Sequence, residues 1–417
     1  MRILITVAHR NLVGGVEKYL QAILPGLRAR GHQVALFYEY RFDPSKERID
    51  PPDSNIPCCG IEESGAQAAW QFATGWNPEV VYSQGLERAA DLEAALLNKY
   101  PTVLYAHNYI GTCVSGEKCH SFPTPQPCDR RLSPMCLVLY YPRRCGGLNP
   151  ATMWKLYQRA EAANARLPEY AAILVASEHM RREFQRHGVK SEKLHLTPLP
   201  NPEEGARVDS QAPKRSRSNL LFVGRLTDLK GAGHLLQALP LAERRLARPL
   251  TVTLAGDGPE RKYLEEFAAK HRLQAKFSGW MNTREKIILM QQADLLVAPS
   301  LWPEPFGLVG IEAGAHGLPA VAYDTGGISE WLIEGYSGEL APADPPTVEG
   351  LAGAITRALE SPSHYEELCR GAREVAARFT LTAHVSKLES ILEGVLETEP
   401  HSGSPMRAGD QTIGAQV

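Results

Sequence analysis

Short apolar runs alternate with stretches whose apolar residues recur every three or four positions, and the alternation occurs twice along the chain. In the first half, residues 3–8, 33–38, 80–82, 102–106, 171–177 and 194–197 read as strands, and residues 16–30, 87–98 and 178–187 as amphipathic helices. The pattern restarts at residue 220. Strands at 220–223, 251–255, 275–277, 295–298 and 320–322 are separated by helices at 232–239, 259–271, 284–291 and 307–316. Helices at 346–360, 364–378 and 379–397 follow. Strands that are apolar on both faces and separated by helices predict parallel, doubly wound sheets, so the expected fold class is α/β with two domains.

The punctuation of this pattern sets the expected boundaries. The first domain spans 1–201 and carries an insertion at about 108–150. A polar linker at 202–218 contains the basic cluster Lys214-Arg215-Ser216-Arg217. The second domain spans 219–378, a helix occupies 379–397, and a Gly/Ser/Pro/Thr-rich tail at 398–417 is expected to be disordered. A length of 417 residues agrees with two cores rather than one. Residues 1–9 hold an apolar run too short for a signal peptide, and no run reaches the ~18 apolar residues of a membrane span. The expectation is a cytoplasmic protein, with peripheral contact with a membrane left open.

Charge narrows the partners. Lys and Arg total 45 against 47 Asp and Glu, a net of −2, which argues against nucleic acid because a polyanion needs a cationic surplus. The average hides a split. Residues 1–200 carry 23 basic and 19 acidic groups, whereas residues 201–417 carry 22 and 28.

Three loops carry the candidate chemistry. The densest is Pro303-Glu304-Pro305-Phe306-Gly307-Leu308-Val309-Gly310-Ile311-Glu312, between a strand and a helix expected to begin near Gly307. A helix start at the carboxyl end of a parallel strand offers free N–H groups to a phosphate. Were the span helical, Glu304 and Glu312 would lie about 12 Å apart at 1.5 Å per residue, too far for a glycosidase carboxylate pair, so they suit different parts of one extended ligand. The second loop, Gly224-Arg225-Leu226-Thr227-Asp228-Leu229-Lys230-Gly231, places two cations where a diphosphate leaving group needs neutralising. The third, Gly14-Gly15-Val16-Glu17, allows close backbone approach to a ligand but lacks the full dinucleotide fingerprint. Ala255-Gly256-Asp257-Gly258-Pro259 reads first as a strand-end turn, and His107 sits at a strand end where cleft residues belong.

Together these residues resemble the retaining glycosyltransferases of family 4, which have the GT-B fold. The resemblance runs from about residue 1 to 397. It rests on Glu-x7-Glu around Pro-Phe-Gly, on Gly-Arg-Leu-x3-Lys-Gly, and on the Gly-Asp-Gly-Pro and Gly-Gly-x-Glu turns. Gly31-His32-x-Val34 and Ser177-Glu178 match in the same order. The resemblance implies two facing Rossmann-like domains, with the last helix crossing back onto the first. It places the nucleotide-diphosphate sugar on the second domain and a glycan, lipid-linked or small-molecule acceptor on the first. By the same resemblance, Arg225, Lys230 and the Gly224 loop hold the diphosphate, Glu312 the ribose, and Glu304 faces the donor sugar. The backbone of Phe306, Gly307, Leu308 and Val309 holds sugar and phosphate, the base lies along Ser278–Met281 with Trp280 and Met281, Gly15 approaches the diphosphate, and His107 the sugar. No cofactor or metal is implied for the transfer, and no Asp-x-Asp pair occurs in these motifs. Other enzymes on this fold, a sugar-nucleotide epimerase or a phosphorylase, remain alternatives, as does a nucleotide-sugar-binding scaffold. The presence of Arg225, Lys230, Glu304 and Glu312 together speaks against the scaffold.

One segment departs from that pattern. Cys113, Cys119, Cys128, Cys136 and Cys145 fall within 33 residues that also hold Lys118, Arg130, Arg131, Arg143 and Arg144 against Glu117 and Asp129. The surplus of cations suits an anionic acceptor or a solvated face. No Cys-x2-Cys pair occurs, which weakens a zinc reading. A structural zinc or iron–sulfur site, disulfides and unlinked thiols all stay open, with His120 as a further ligand.

Overall fold

The computed structural model describes residues 1–51, 54–86, 88–146, 149–202 and 216–398. Most of the linker expected at 202–218, and all but the first residue of the tail expected at 398–417, lie outside the described residues.

The first domain contains strands β1 (Arg2–Val7), β2 (Gln33–Tyr38), β3 (Cys58–Gly60), β4 (Val80–Ser83), β5 (Thr102–Ala106), β6 (Cys119–His120), β7 (Gln126–Pro127), β8 (Ala172–Val175) and β9 (Leu194–Leu196). Its helices are α1 (Gly15–Ala29), α2 (Ile61–Ser64), α3 (Ala66–Trp76), α4 (Ala90–Lys99), α5 (Met135–Leu139), α6 (Pro150–Arg166) and α7 (Glu178–Arg186). The second domain contains β10 (Asn219–Val223), β11 (Thr251–Ala255), β12 (Ala275–Gly279), β13 (Leu295–Ala298), β14 (Ala320–Tyr323) and β15 (Gly338–Ala341). Its helices are α8 (Ala232–Leu246), α9 (Arg261–Lys270), α10 (Thr283–Gln292), α11 (Val309–Ala315), α12 (Val348–Glu360) and α13 (Pro362–Ala376), followed by α14 (Leu381–Thr398).

Two parallel sheets result. The first has the order β3-β2-β1-β4-β5-β8-β9 and the second β12-β11-β10-β13-β14-β15. In each, the order reverses beside the first strand, between β1 and β4 and between β10 and β13. Such switch points open a crevice at the carboxyl ends of the strands, where ligands of open α/β sheets bind. The α/β GT-B architecture is therefore present.

The strands form where expected because both faces are covered. Ile3, Leu4 and Ile5 in β1 and Leu295, Leu296 and Val297 in β13 are fully buried. Helix α14 crosses back to the first domain. His384 Nε2 bonds the Tyr19 hydroxyl at 2.8 Å, Arg30 pairs with Glu389 at 2.5 Å, and Val385, Leu388 and Leu392 are buried. One apolar cluster runs from the first sheet through α14 to Phe306 and Ile311 of the second domain. Burial of that extent, at roughly 25 cal/mol per Å2, is what holds the two halves together.

Some elements differ from the sequence expectation. The helix expected to stop at residue 239 continues to Leu246, because Pro240 removes one backbone bond while Leu235, Leu236, Leu239 and Ala242 keep a continuous buried face. The helix expected at 307–316 is only Val309–Ala315, because Gly307 turns into the left-handed region at φ +86° before it. The helices α3 and α6 and the strands β3 and β15 have no counterpart in the sequence reading.

Candidate active site

Both switch points carry the sequence motifs. After β10, the chain makes a short turn at Asp228–Lys230 and reaches Gly231 at φ +72°. A Cβ there would collide with the Pro299 carbonyl oxygen, so only glycine lets this loop lie on the one after β13. That contact brings Lys230 to Glu304. Lys230 Nζ donates to Glu304 Oε1 at 2.5 Å, and Ser300 Oγ donates to the same oxygen at 2.5 Å. Glu304 is buried, while Lys230 is partly exposed with its ammonium 5.1 Å from the centre of the Trp302 ring.

The backbone behind Glu304 is fixed by a pair of glycines following β14. Gly327 N–H donates to the Glu304 carbonyl at 2.6 Å, and a Cβ on Gly326 or Gly327 would strike the backbone of Pro303, Glu304 or Pro305. The Arg225 loop is held from the other side. Leu226 N–H donates to Asp257 O at 2.9 Å, and Glu260 N–H to Leu226 O at 3.1 Å. The Gly-Asp-Gly-Pro turn thus serves as a buttress. Arg225 itself is exposed and forms no ion pair among the described residues.

Glu312, in the first turn of α11, is buried and paired with Lys286 Nζ at 2.6 Å. It does not share one helical face with Glu304, because α11 begins only at Val309. The helical separation expected between the two carboxylates therefore does not apply. Phe306 turns its ring into the core against Phe379 at 5.4 Å, and its carbonyl accepts from Trp331 Nε1 at 2.7 Å. Only its backbone borders the loop, with Gly307, Leu308 and Val309 half-buried beside it. Trp280, expected to line a base pocket, stands 74% exposed at the end of β12, whereas Met281 packs against the main core. Gly15 is exposed, with no atom of the described residues within 4 Å of the position its Cβ would take.

The first domain contributes a cavity of about 150 Å3 at the ends of β1, β4 and β5, bordered by His9, Gln84 and His107. His107 Nε2 bonds Gln84 Oε1 at 2.8 Å, which places the ring proton on Nε2 and leaves Nδ1 an acceptor. Burial, assisted by His384, lowers its pKa to about 3, so the ring is neutral at physiological pH. Tyr109, fully buried, has a hydroxyl with no hydrogen-bond partner among the described residues; burial and then the charge of Glu304 hold it well above the ordinary tyrosine range. Its ring meets Trp302 edge-on at 6.5 Å. The two domains also touch where Glu178 N–H donates to Glu330 Oε1 at 2.6 Å.

The structure thus brings Arg225, Lys230, Glu304 and the Gly224 loop to one switch point. It leaves Trp280 in solvent and gives Glu312 an internal cation. Ser300, Lys286, Gln84, Tyr109 and the Gly326-Gly327 pair escaped the sequence reading. A glycine pair separated by two residues from a buried strand was a usable signal, as was a lysine sharing a helical face with the buried Met290.

Family comparisons agree with this geometry. Residues 13–200 match the model "Glycosyltransferase Family 4", and residues 207–375 match "Glycosyl transferases group 1". The chain is 37% identical over 184 residues to a glycogen synthase of Mycobacterium tuberculosis, a match covering 43% of each protein. It is 33% identical over 182 residues to a D-inositol 3-phosphate glycosyltransferase of Corynebacterium diphtheriae, covering 41% of each. These matches span less than half the length of either relative. Among solved structures, Anabaena HepE in complex with UDP and glucose superposes with a TM-score of 0.67 at 19% identity, covering 94% of this chain and 100% of that one. One glycosyltransferase model is matched in each half of the chain, and solved neighbours superpose along nearly its whole length, so the chain is similar to glycosyltransferases and has the GT-B fold.

Proposed function

We infer that this protein is a retaining hexosyltransferase of family 4. It moves a sugar from a nucleotide-diphosphate sugar to a glycan, lipid-linked or small-molecule acceptor in polysaccharide or glycoconjugate synthesis. The observation that carries the reading is the Lys230–Glu304–Ser300 cluster at the second switch point, facing Tyr109 of the first domain. The names of the relatives, a glycogen synthase and an inositol-phosphate glycosyltransferase, support sugar transfer. The UDP and glucose held by HepE support a nucleotide-sugar donor.

In this reading the bond between the sugar C1 and the diphosphate oxygen breaks, and the acceptor oxygen bonds C1 on the same face. The acceptor proton passes to the leaving phosphate oxygen. Charge grows on the diphosphate, where Arg225 and the remaining N–H groups of Lys230 stabilise it. Glu304 holds Lys230 in place and faces the positive sugar. Neutral His107, tied to Gln84, orients a hydroxyl. Glu312 holds the ribose while Lys286 balances its charge. Trp280 and Met281 are assigned to the base and the backbone at Phe306–Val309 to the sugar and phosphate. The transfer needs no metal or other cofactor. Peripheral membrane contact belongs to the same reading, since Met135, Val138 and Trp154 are exposed on α5 and α6, which pack on each other.

Nucleotide release from a panel of nucleotide sugars, with and without candidate acceptors, tests the reading. Glu304→Ala is expected to abolish transfer while nucleotide still binds. Unchanged turnover would overturn the role of Glu304, and product formed without any acceptor would point to an epimerase.

A further inference from the structure

The insertion between β5 and α6 is short of the means to fold by packing alone. Its regular structure is two two-residue strands and the five-residue helix α5. Its own core cluster has three buried members, Val114, Tyr140 and Tyr157, and Tyr157 belongs to α6. A segment of this size with so little buried apolar surface needs a covalent or metal staple.

The staple's material is in place. All five insertion cysteines border one cavity of about 320 Å3, although as many as eight residues separate neighbours in sequence. All eight cysteines of the chain are free thiols. The five are not equivalent. Cys119 is buried, and its thiol donates to the Leu301 carbonyl at 3.8 Å, across to the loop that carries Glu304. Cys113, Cys128, Cys136 and Cys145 form the remaining set. The Cys145 sulfur lies within electrostatic range of Cys113, Cys128 and Cys136, and all four border the same cavity.

The positive side chains complete the picture. Arg130 and Arg143 border the same cavity, well placed against the net negative charge of a tetrathiolate centre. Lys118 is not part of that surplus. It is 2% exposed and paired with Glu183 of α7 at 2.6 Å, which anchors the insertion to the first domain. Among the described residues no three ligating side chains stand at metal-holding distance as they are. A cysteine sulfur moves among three staggered positions by rotation about one bond, so closing the set needs side-chain rotation around a cavity already bordered by all four.

We propose that Cys113, Cys128, Cys136 and Cys145 bind a thiophilic metal centre, a zinc ion or an iron–sulfur cluster, that fixes the insertion against the Glu304 loop. For zinc, four thiols and Zn2+ give the tetrathiolate and release four protons, with no change of oxidation state. For a cluster, iron and sulfide are supplied with it and the four thiolates ligate the irons.

The test is made on the full chain, purified without oxygen, chelator or a metal-affinity step, by elemental analysis, acid-labile sulfide and visible absorption. Near-stoichiometric zinc without colour supports an ion, and iron with matching sulfide and visible charge-transfer absorption supports a cluster. Wild-type protein with neither metal, or with disulfides mapped among these cysteines, overturns the proposal without recourse to any variant. Serine at each of the four positions is expected to lower metal content roughly tenfold or more. Cys58→Ser, Cys119→Ser and Cys369→Ser are expected to keep it; equal loss in those three would also overturn the assignment.

Discussion

Gly15 and Gly231 each stand at the start of a helix, and they are glycine for different reasons. Gly231 answers to packing, because a Cβ would collide with Pro299. Gly15 has open space beside it, so packing makes no demand there. Gly15→Ala is accordingly expected to leave stability unchanged or raise it by about 0.4–1 kcal/mol, since alanine at a helical position restricts the unfolded chain. Turnover with a nucleotide sugar is expected to fall roughly tenfold or more, about 1.4 kcal/mol. A thermal melt beside a rate assay checks both, and loss of stability would show that packing required the glycine after all. Arg225 gives a second residue-level expectation. Arg225→Ala should weaken a nucleoside diphosphate by about 1.5–3 kcal/mol, the worth of charged hydrogen bonds, and a nucleoside hardly at all. Calorimetric titration of both ligands measures the difference, and equal losses would count against a diphosphate contact. Glu304, Lys230 and Arg225 were legible in the sequence because each lies beside a glycine or proline that punctuates a strand end. Ser300 and Lys286 were not, because a lone serine or lysine gains meaning only from the carboxylate folded against it.

At the scale of elements, α14 joins the first domain through a histidine that must stay neutral. His384 bonds the Tyr19 hydroxyl and, through Nδ1, the Pro198 carbonyl at 2.8 Å. Burial lowers its pKa to about 4, with Lys387 adding to the effect, and His107 nearby is lowered to about 3. Both values lie below the ordinary 6.5 of an unfolded chain, so the unfolded state takes up protons first as pH falls. The stability tied to the two neutral rings is complete above about pH 6.5 and drains away towards pH 4 and 3. Between pH 7 and pH 5 the loss should be on the order of 2 kcal/mol per histidine, and His384→Gln should remove one share of that slope. Denaturant titrations at the two pH values decide it, and a slope identical in the variant would place the titration elsewhere. The same scale shows which elements the sequence reveals. Continuous apolar runs such as β1 and β13 announce a strand covered on both faces. The strand β15 hides because Gly338-Glu339-Leu340-Ala341 carries a buried charge, satisfied by Arg357 at 2.7 Å and His364 at 2.8 Å. The helix α6 hides behind a polar composition, although Asn149 capping Ala151 N–H at 2.9 Å and Pro150 at the first turn are a start signal.

For the whole molecule, the crossing of α14 sets a schedule. Tyr19 and His384 are 365 positions apart, and at roughly 5–20 residues per second a ribosome needs roughly 20–70 seconds to make the intervening chain. Throughout that interval the face of α1 that Val385, Leu388 and Leu392 will cover stands in water, with Gly26 waiting for the Val385 side chain that packs on it. The first domain is therefore born incomplete, and its last piece is translated only after the entire second domain. A fragment of residues 1–201 made alone is expected to aggregate, and co-expression of a peptide covering residues 379–398 to return a measurable part of it to the soluble fraction. Full solubility of the fragment without the peptide would contradict this. Birth order, not only contact energy, then becomes a property of the fold: the half assigned to the acceptor is made first and finished last.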